Sequence, residues 1–143
     1  MTGEGSARRL YVDTSAWLAG LLAEAGGADV SREVRGAQLL SSVLLVVEVN
    51  RNLVRLAREG KLTPAQLQLA MARFEQDLDT FELMDLTLDV ARDRAMPSVV
   101  TPRSLDLVHL RCALRFHHEA PLTRFVSLDQ AQNEAARDLG LPT

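Results

Sequence analysis

Hydrophobic and polar positions fall in blocks along the chain, and the blocks switch between a strand-like and a helix-like period. Leu10, Tyr11 and Val12 form a short apolar run that predicts a strand, and it stops abruptly at Asp13 and two hydroxyls, Thr14 and Ser15. Residues 16–22 are apolar on nearly every side, which predicts a buried helix led by hydroxyls able to cap it. Gly26-Gly27 breaks the chain; a short polar helix is expected over 30–38, leading into a second strand over 39–43. The run 43–47 fits two readings. Its β-branched residues favour a strand, whereas Val46, Val49, Leu53, Leu56 and Ala57 keep helical spacing through to Glu59. A strand followed by a helix from about Leu45 is expected, with Glu48 in the first turn near the positive dipole end and Arg51 on the same face.

Thr63-Pro64-Ala65-Gln66 predicts a helix start with a Thr cap, Pro at the first helical position and Gln closing a capping box. Leu67, Ala70, Met71, Phe74 and Leu78 then form one apolar stripe, fit for core or a protein interface. Residues 81–84 predict a third strand and residues 88–96 a helix stopped by Pro97. After a loop over 97–102, Ser104 is expected to cap a largely enclosed helix running to about His117. His109 within it reads as a hydrogen-bonded structural histidine. Residues 122–128 predict a fourth strand, and Asp129 caps a last helix ended by Gly140 and Pro142. A fifth, edge strand would be very short or missing. Strand alternating with helix predicts the α/β class, a Rossmann-like three-layer α/β/α sandwich around a parallel sheet of four to five strands.

The 143 residues suit one domain over 10–143 behind a flexible tail over 1–9. With 47% hydrophobic and 24% charged residues the composition is that of a soluble globular protein. Cys112 has no intrachain partner, so no disulfide framework exists and a cytoplasmic location is expected. No apolar run approaches the ~20 residues of a membrane span, and the N-terminus lacks a signal-peptide core. A net charge of −3 argues against holding nucleic acid through a global positive field. That objection weakens because fifteen of the sixteen basic residues are arginine, whose planar fork suits phosphate.

Four acids change the picture most. Asp13, Glu48, Asp106 and Asp129 each sit where a strand ends or a helix begins, and in a parallel sheet those junctions share one edge. Two carboxylates about 5 Å apart at an effective dielectric of about 20 repel by roughly 3 kcal/mol, so four need a counter-charge. Hard oxygen ligands select Mg²⁺ or Mn²⁺ over zinc, and one or two such ions could activate water for phosphodiester hydrolysis. Competing acidic sites fit less well. Ser15 stands where a haloacid-dehalogenase phosphatase would have its second acid. A receiver domain would need adjacent acids and a late lysine, whereas the sole lysine is Lys61. No phosphate-binding loop follows Gly26-Gly27.

These residues resemble a known family. Val-Asp-Thr-Ser-Ala (12–16), Ser-Ser-Val-Leu (41–44) with Glu-Val-Asn-Arg (48–51), Arg-Ser-Leu-Asp-Leu-Val-His-Leu (103–110), and Val-Ser-Leu-Asp (126–129) with Ala-Ala-Arg-Asp-Leu-Gly-Leu-Pro (135–142) look like the PIN-domain family, nearest the VapC toxins. No single motif is specific, but the four occur in consistent order from about Leu10 to the end. The resemblance implies a Mg²⁺- or Mn²⁺-dependent endoribonuclease toxin of a type II toxin-antitoxin pair, acting on tRNA or rRNA. It implies a homodimer silenced by a VapB-like antitoxin whose C-terminal segment lies across the site. Asp13, Glu48, Asp106 and Asp129 would be the metal-holding and catalytic acids, with Ser15, Arg51 and Ser127 in support. Two other readings remain open: a PIN-like binding module without catalysis, and a PIN nuclease outside any toxin system.

Overall fold

A parallel sheet must be covered on both faces, and the burial of β1 (Arg9–Val12) shows this directly: Leu10, Tyr11 and Val12 are all fully buried. The computed structural model describes residues 7–143. Most of the tail expected over 1–9 therefore lies outside the described residues, and Arg9 already belongs to the sheet. After β1 come α1 (Thr14–Leu21), α2 (Gly27–Glu33), β2 (Gln38–Ser42), α3 (Leu44–Arg58), α4 (Pro64–Leu78) and β3 (Phe81–Met84). Then follow α5 (Leu88–Arg92), α6 (Ser104–Glu119), β4 (Arg124–Val126) and α7 (Gln130–Asp138). The sheet is parallel throughout, in the order β3-β2-β1-β4, with Leu10 level with Leu39 on one side and Arg124 on the other.

Period-two alternation divides the core. Tyr11, Leu40 and Phe125 face one layer with Leu110, Ala113 and Phe116 of α6 and Ala135 and Ala136 of α7. Leu10, Val12, Leu39 and Val126 face the other, with Ala16 of α1 and Val30 of α2. Beyond them Leu45, Val49 and Leu53 of α3 meet Ala70 and Phe74 of α4. The apolar stripe of α4 is thus mainly core, and its capping box forms as expected, with Thr63 and Gln66 satisfying each other's backbone. Cys112 is buried among apolar neighbours. Among the described residues no helix is long and apolar enough to cross a membrane.

Several local expectations are corrected. Asp13, not the hydroxyls after it, caps α1. The second helix starts at Gly27 rather than near Val30, directly after Gly26 turns the chain through a left-handed φ of 81°; Gly27 itself packs so closely on α1 that a β-carbon there would lie 2.1 Å from the Ala19 carbonyl oxygen. The first turn of α3 opens on Ser42, whose hydroxyl accepts from the Leu44 N–H, so Glu48 falls in the second turn and not the first. α5 ends at Arg92, well before Pro97, where the Asp93 carboxylate accepts from the Ala95 N–H and competes with helix continuation. Ser104 is the first residue of α6 and no side chain caps it. Four strands form among the described residues. Where a fifth would pair, the Phe125 N–H donates to the Pro142 carbonyl at 2.7 Å, so the chain end takes the outer donor of β4.

Candidate active site

β2 and β3 lie on one side of β1 and β4 on the other, so the strand order reverses between β1 and β4. The crevice beyond the carboxyl ends at such a reversal is where open α/β sheets bind ligands. Asp13 follows β1 directly, and its N–H donates to the carbonyl of Val126, the last residue of β4, at 3.1 Å. Asp13 Oδ1 accepts from the Ala16 N–H at 3.1 Å and from the Ser15 hydroxyl at 2.7 Å. Only 4% exposed, its carboxyl is pushed up by burial, against the pull of the Ser127 and Ser15 hydroxyls and of His109.

The two serines join the junctions after β1 and β4. Ser15 Oγ accepts from the Leu128 N–H at 3.1 Å and lies 3.3 Å from Ser127 Oγ, which in turn accepts from the Asp129 N–H at 3.1 Å. Asp129 caps α7 through the Gln132 N–H at 3.2 Å. The side chain of Gln132, wholly buried, donates to the Asp106 carbonyl at 2.8 Å and so ties the start of α7 to the first turn of α6.

Asp106 projects from that turn into the same space. Its Oδ2 is buried and finds no hydrogen-bond partner among the described residues, and Arg103 Nε stands 3.6 Å away. Burial raises its pKa, Arg103 opposes the rise, and the charges of Asp129 and Glu48 add to it. Those repulsions are the electrostatic signature of carboxylates brought together from distant parts of the chain.

Glu48 arrives from α3. Its Oε1 accepts from Thr14 Oγ1 at 2.9 Å and from His109 Nε2 at 2.6 Å. Burial alone would raise its pKa. The His109 hydrogen bond, the ring's charge when protonated, Thr14 and Arg103 together bring it below the usual carboxylate range. All four acids, with Thr14, Ser15, Arg51, Arg103 and His109, line one cavity of about 470 Å³. Arg51 is exposed there, whereas Ser127 is buried behind Asp13 and Asp129.

The donors are suited to a hard divalent cation: carboxylate oxygens without any cysteine, one of them buried and unpartnered. Among the described residues no three His, Cys, Asp or Glu side chains stand close enough to hold an ion as placed. An ion would have to draw the carboxylates inward from the walls they line. The expected residues thus share a cavity without forming a closed cage.

Sequence reasoning missed part of this wall. Thr14 looked like a helix cap, yet it bonds Glu48; His109 looked purely structural, yet it touches the same carboxylate. Tyr11, Arg103 and Gln132 were not singled out. Two signals were available. His109 lies one turn after Asp106 on α6, and Tyr11 lies two residues before Asp13 on β1, so each shares a face with an acid.

No curated protein sequence matches the chain. The PIN domain matches residues 10–138, from the first strand through the last helix and across all four acids, and the chain therefore belongs to the PIN domain family.

Proposed function

We propose that this protein is a Mg²⁺- or Mn²⁺-dependent endoribonuclease of the VapC type, the toxin of a type II toxin-antitoxin pair. PIN domains are in general metal-dependent nucleases, which supports hydrolysis of RNA as the class of reaction. One observation carries the reading furthest: four carboxylates from sequence-distant junctions line a single cavity at the strand-order reversal. Asp13, Glu48, Asp106 and Asp129 would hold the cation. When bound, it would supply a nucleophilic water at neutral pH and neutralise charge on the phosphate under attack.

The chain's own groups have separate tasks. Arg103 and Arg51, at the cavity wall, present guanidinium forks to the RNA backbone, offsetting the acidity of the site. Ser15 and Ser127 fix the junctions that present Asp13 and Asp129. As a toxin it would form a homodimer and be silenced by an antitoxin segment lying across this cavity.

Incubation of the purified protein with tRNA and rRNA tests the enzyme directly. Cleavage is expected with Mg²⁺ or Mn²⁺, lost in EDTA and restored when metal is added back, while the cooperative unfolding transition survives EDTA. The Asp13→Ala variant should be inert. Undiminished cleavage in EDTA would remove the metal from the proposal, and no cleavage under any metal would favour a binding module. The toxin assignment needs growth arrest on expression that a neighbouring antitoxin gene relieves; without such relief a nuclease outside a toxin system is left.

A further inference from the structure

A glutamate has three rotatable bonds, and Glu48 reaches a cavity lined by three other carboxylates, where its charge and that of Asp106 repel. Its observed position needs an anchor. Two bonds supply one, and both fall on the same oxygen: Thr14 Oγ1 at 2.9 Å and His109 Nε2 at 2.6 Å from Oε1. Among the described residues nothing hydrogen-bonds Oε2, which is left for a ligand.

The ring that provides the shorter bond is itself held. His109 is 1% exposed, and its Nδ1 lies 2.8 Å from the Tyr11 hydroxyl. The two rings meet edge to face at 5.9 Å. Tyr11 is in turn stacked on Phe125 at 5.6 Å with planes 9° apart, and its own strand is central in the sheet. A carboxylate can only accept, so the Nε2 position must donate. In a neutral ring Nδ1 then accepts from the Tyr11 O–H, while Oε1 of Glu48 takes both bonds and Thr14 Oγ1 also lies 3.4 Å from Nε2.

We propose that His109 is a positioning residue of this site: braced by Tyr11, it donates Nε2–H to Oε1 of Glu48 and so leaves Oε2 available to the cation the site would hold. The proposal rests on the metal-dependent nuclease reading for its consequence, although the bond itself does not. Outer partners of metal-ligating groups fix ligand orientation in this way. A buried polar network kept only for packing would show no dependence on which ring nitrogen is replaced.

Two measurements test it. In the metal-free protein, long-range ¹H–¹⁵N correlation spectra should show the proton of His109 on Nε2; a ring with an unprotonated Nε2 would overturn the assignment. With metal, calorimetric Mn²⁺ titration and RNA cleavage are compared for His109→Ala, His109→Asn, His109→Gln and Tyr11→Phe. Ala and Asn should weaken Mn²⁺ binding and lower kcat by about 10- to 100-fold, with KM for RNA little changed. Gln, whose amide N–H₂ reaches toward the place of Nε2, should recover most of that loss, and Tyr11→Phe should fall between. Urea unfolding of the same variants reports packing, so the kinetic pattern is read only on folded protein. Equal losses for Asn and Gln, or Mn²⁺ affinity unchanged in Ala, would overturn the positioning role. A wild-type protein that neither binds Mn²⁺ nor cleaves RNA would instead remove the nuclease reading and with it the role proposed for the bond.

Discussion

Asp106→Asn is expected to cut RNA cleavage steeply and at the same time to make the metal-free protein more stable. The loss of activity should be about a hundredfold to a thousandfold, the scale on which a single preorganised electrostatic group contributes. The gain in stability follows from the unpartnered, buried Oδ2 and from the repulsion of Glu48 and Asp129. Arg103 at 3.6 Å and the helix N-terminus oppose that gain, and because Arg103 is 78% exposed its attraction is screened. A neutral amide of the same shape relieves the repulsion. The net effect should be about 1 kcal/mol, or about 4 °C in Tm. Its pH dependence has a definite sign. The folded-state pKa of Asp106 is raised, so its ionisation costs stability above that pKa and the cost disappears as pH falls through it. The stability difference between variant and wild type in EDTA should therefore shrink on acidification. Thermal unfolding in EDTA and cleavage in Mn²⁺ measure the two halves separately, and a variant that is both active and destabilised would contradict both.

Gly27→Ala should do the reverse, damaging the fold and sparing the chemistry. The added β-carbon would sit 2.1 Å from the carbonyl oxygen and 2.6 Å from the carbonyl carbon of Ala19, both backbone atoms that no rotamer change can move aside. α1 and α2 must separate, with loss of contacts around Ala16 and Val30 in the adjoining core. Such overpacking costs about 3 kcal/mol or somewhat more, a large share of the roughly 5–15 kcal/mol that holds an ordinary domain together. The clash lies toward the far end of α1 from Asp13: six residues at ~1.5 Å of rise place it about 9 Å along the axis. Cleavage per folded molecule at low temperature should therefore persist, while the urea midpoint drops sharply. An unchanged midpoint would show that α1 and α2 do not cross as closely as described.

The contrast between these two positions shows what was legible in the amino-acid sequence. Residues governed by local rules were readable: the strand that stops at Asp13, the Thr63–Gln66 box, the cap by Asp129, and the third strand over Phe81–Met84, which forms with those bounds. Over residues 43–47, where two local rules competed, strand and helix meet within one residue of the expected junction; the boundary failed where a side chain intervened, as Asp93 does in ending α5. The gathering of the four acids could be inferred, because a parallel sheet places its strand ends along one edge. Their partners could not. Thr14 and Glu48 are 34 residues apart, His109 and Glu48 61, and Tyr11 and His109 98, so only the closed chain reveals those bonds. Gly26-Gly27 looked like a simple break, whereas Gly27 serves a close helix contact that no pattern of hydrophobicity encodes.

Diffraction from crystals soaked in MnCl₂, collected at the manganese edge, asks most directly whether the cavity holds a cation. An anomalous peak is expected among Asp13, Glu48, Asp106 and Asp129, with their carboxylates drawn inward at about 2.0–2.2 Å, and it should vanish in Asp106→Asn. Density in that cavity without any anomalous signal at millimolar Mn²⁺, or a peak held elsewhere on the protein, would contradict a shared metal site and the hydrolytic chemistry proposed from it.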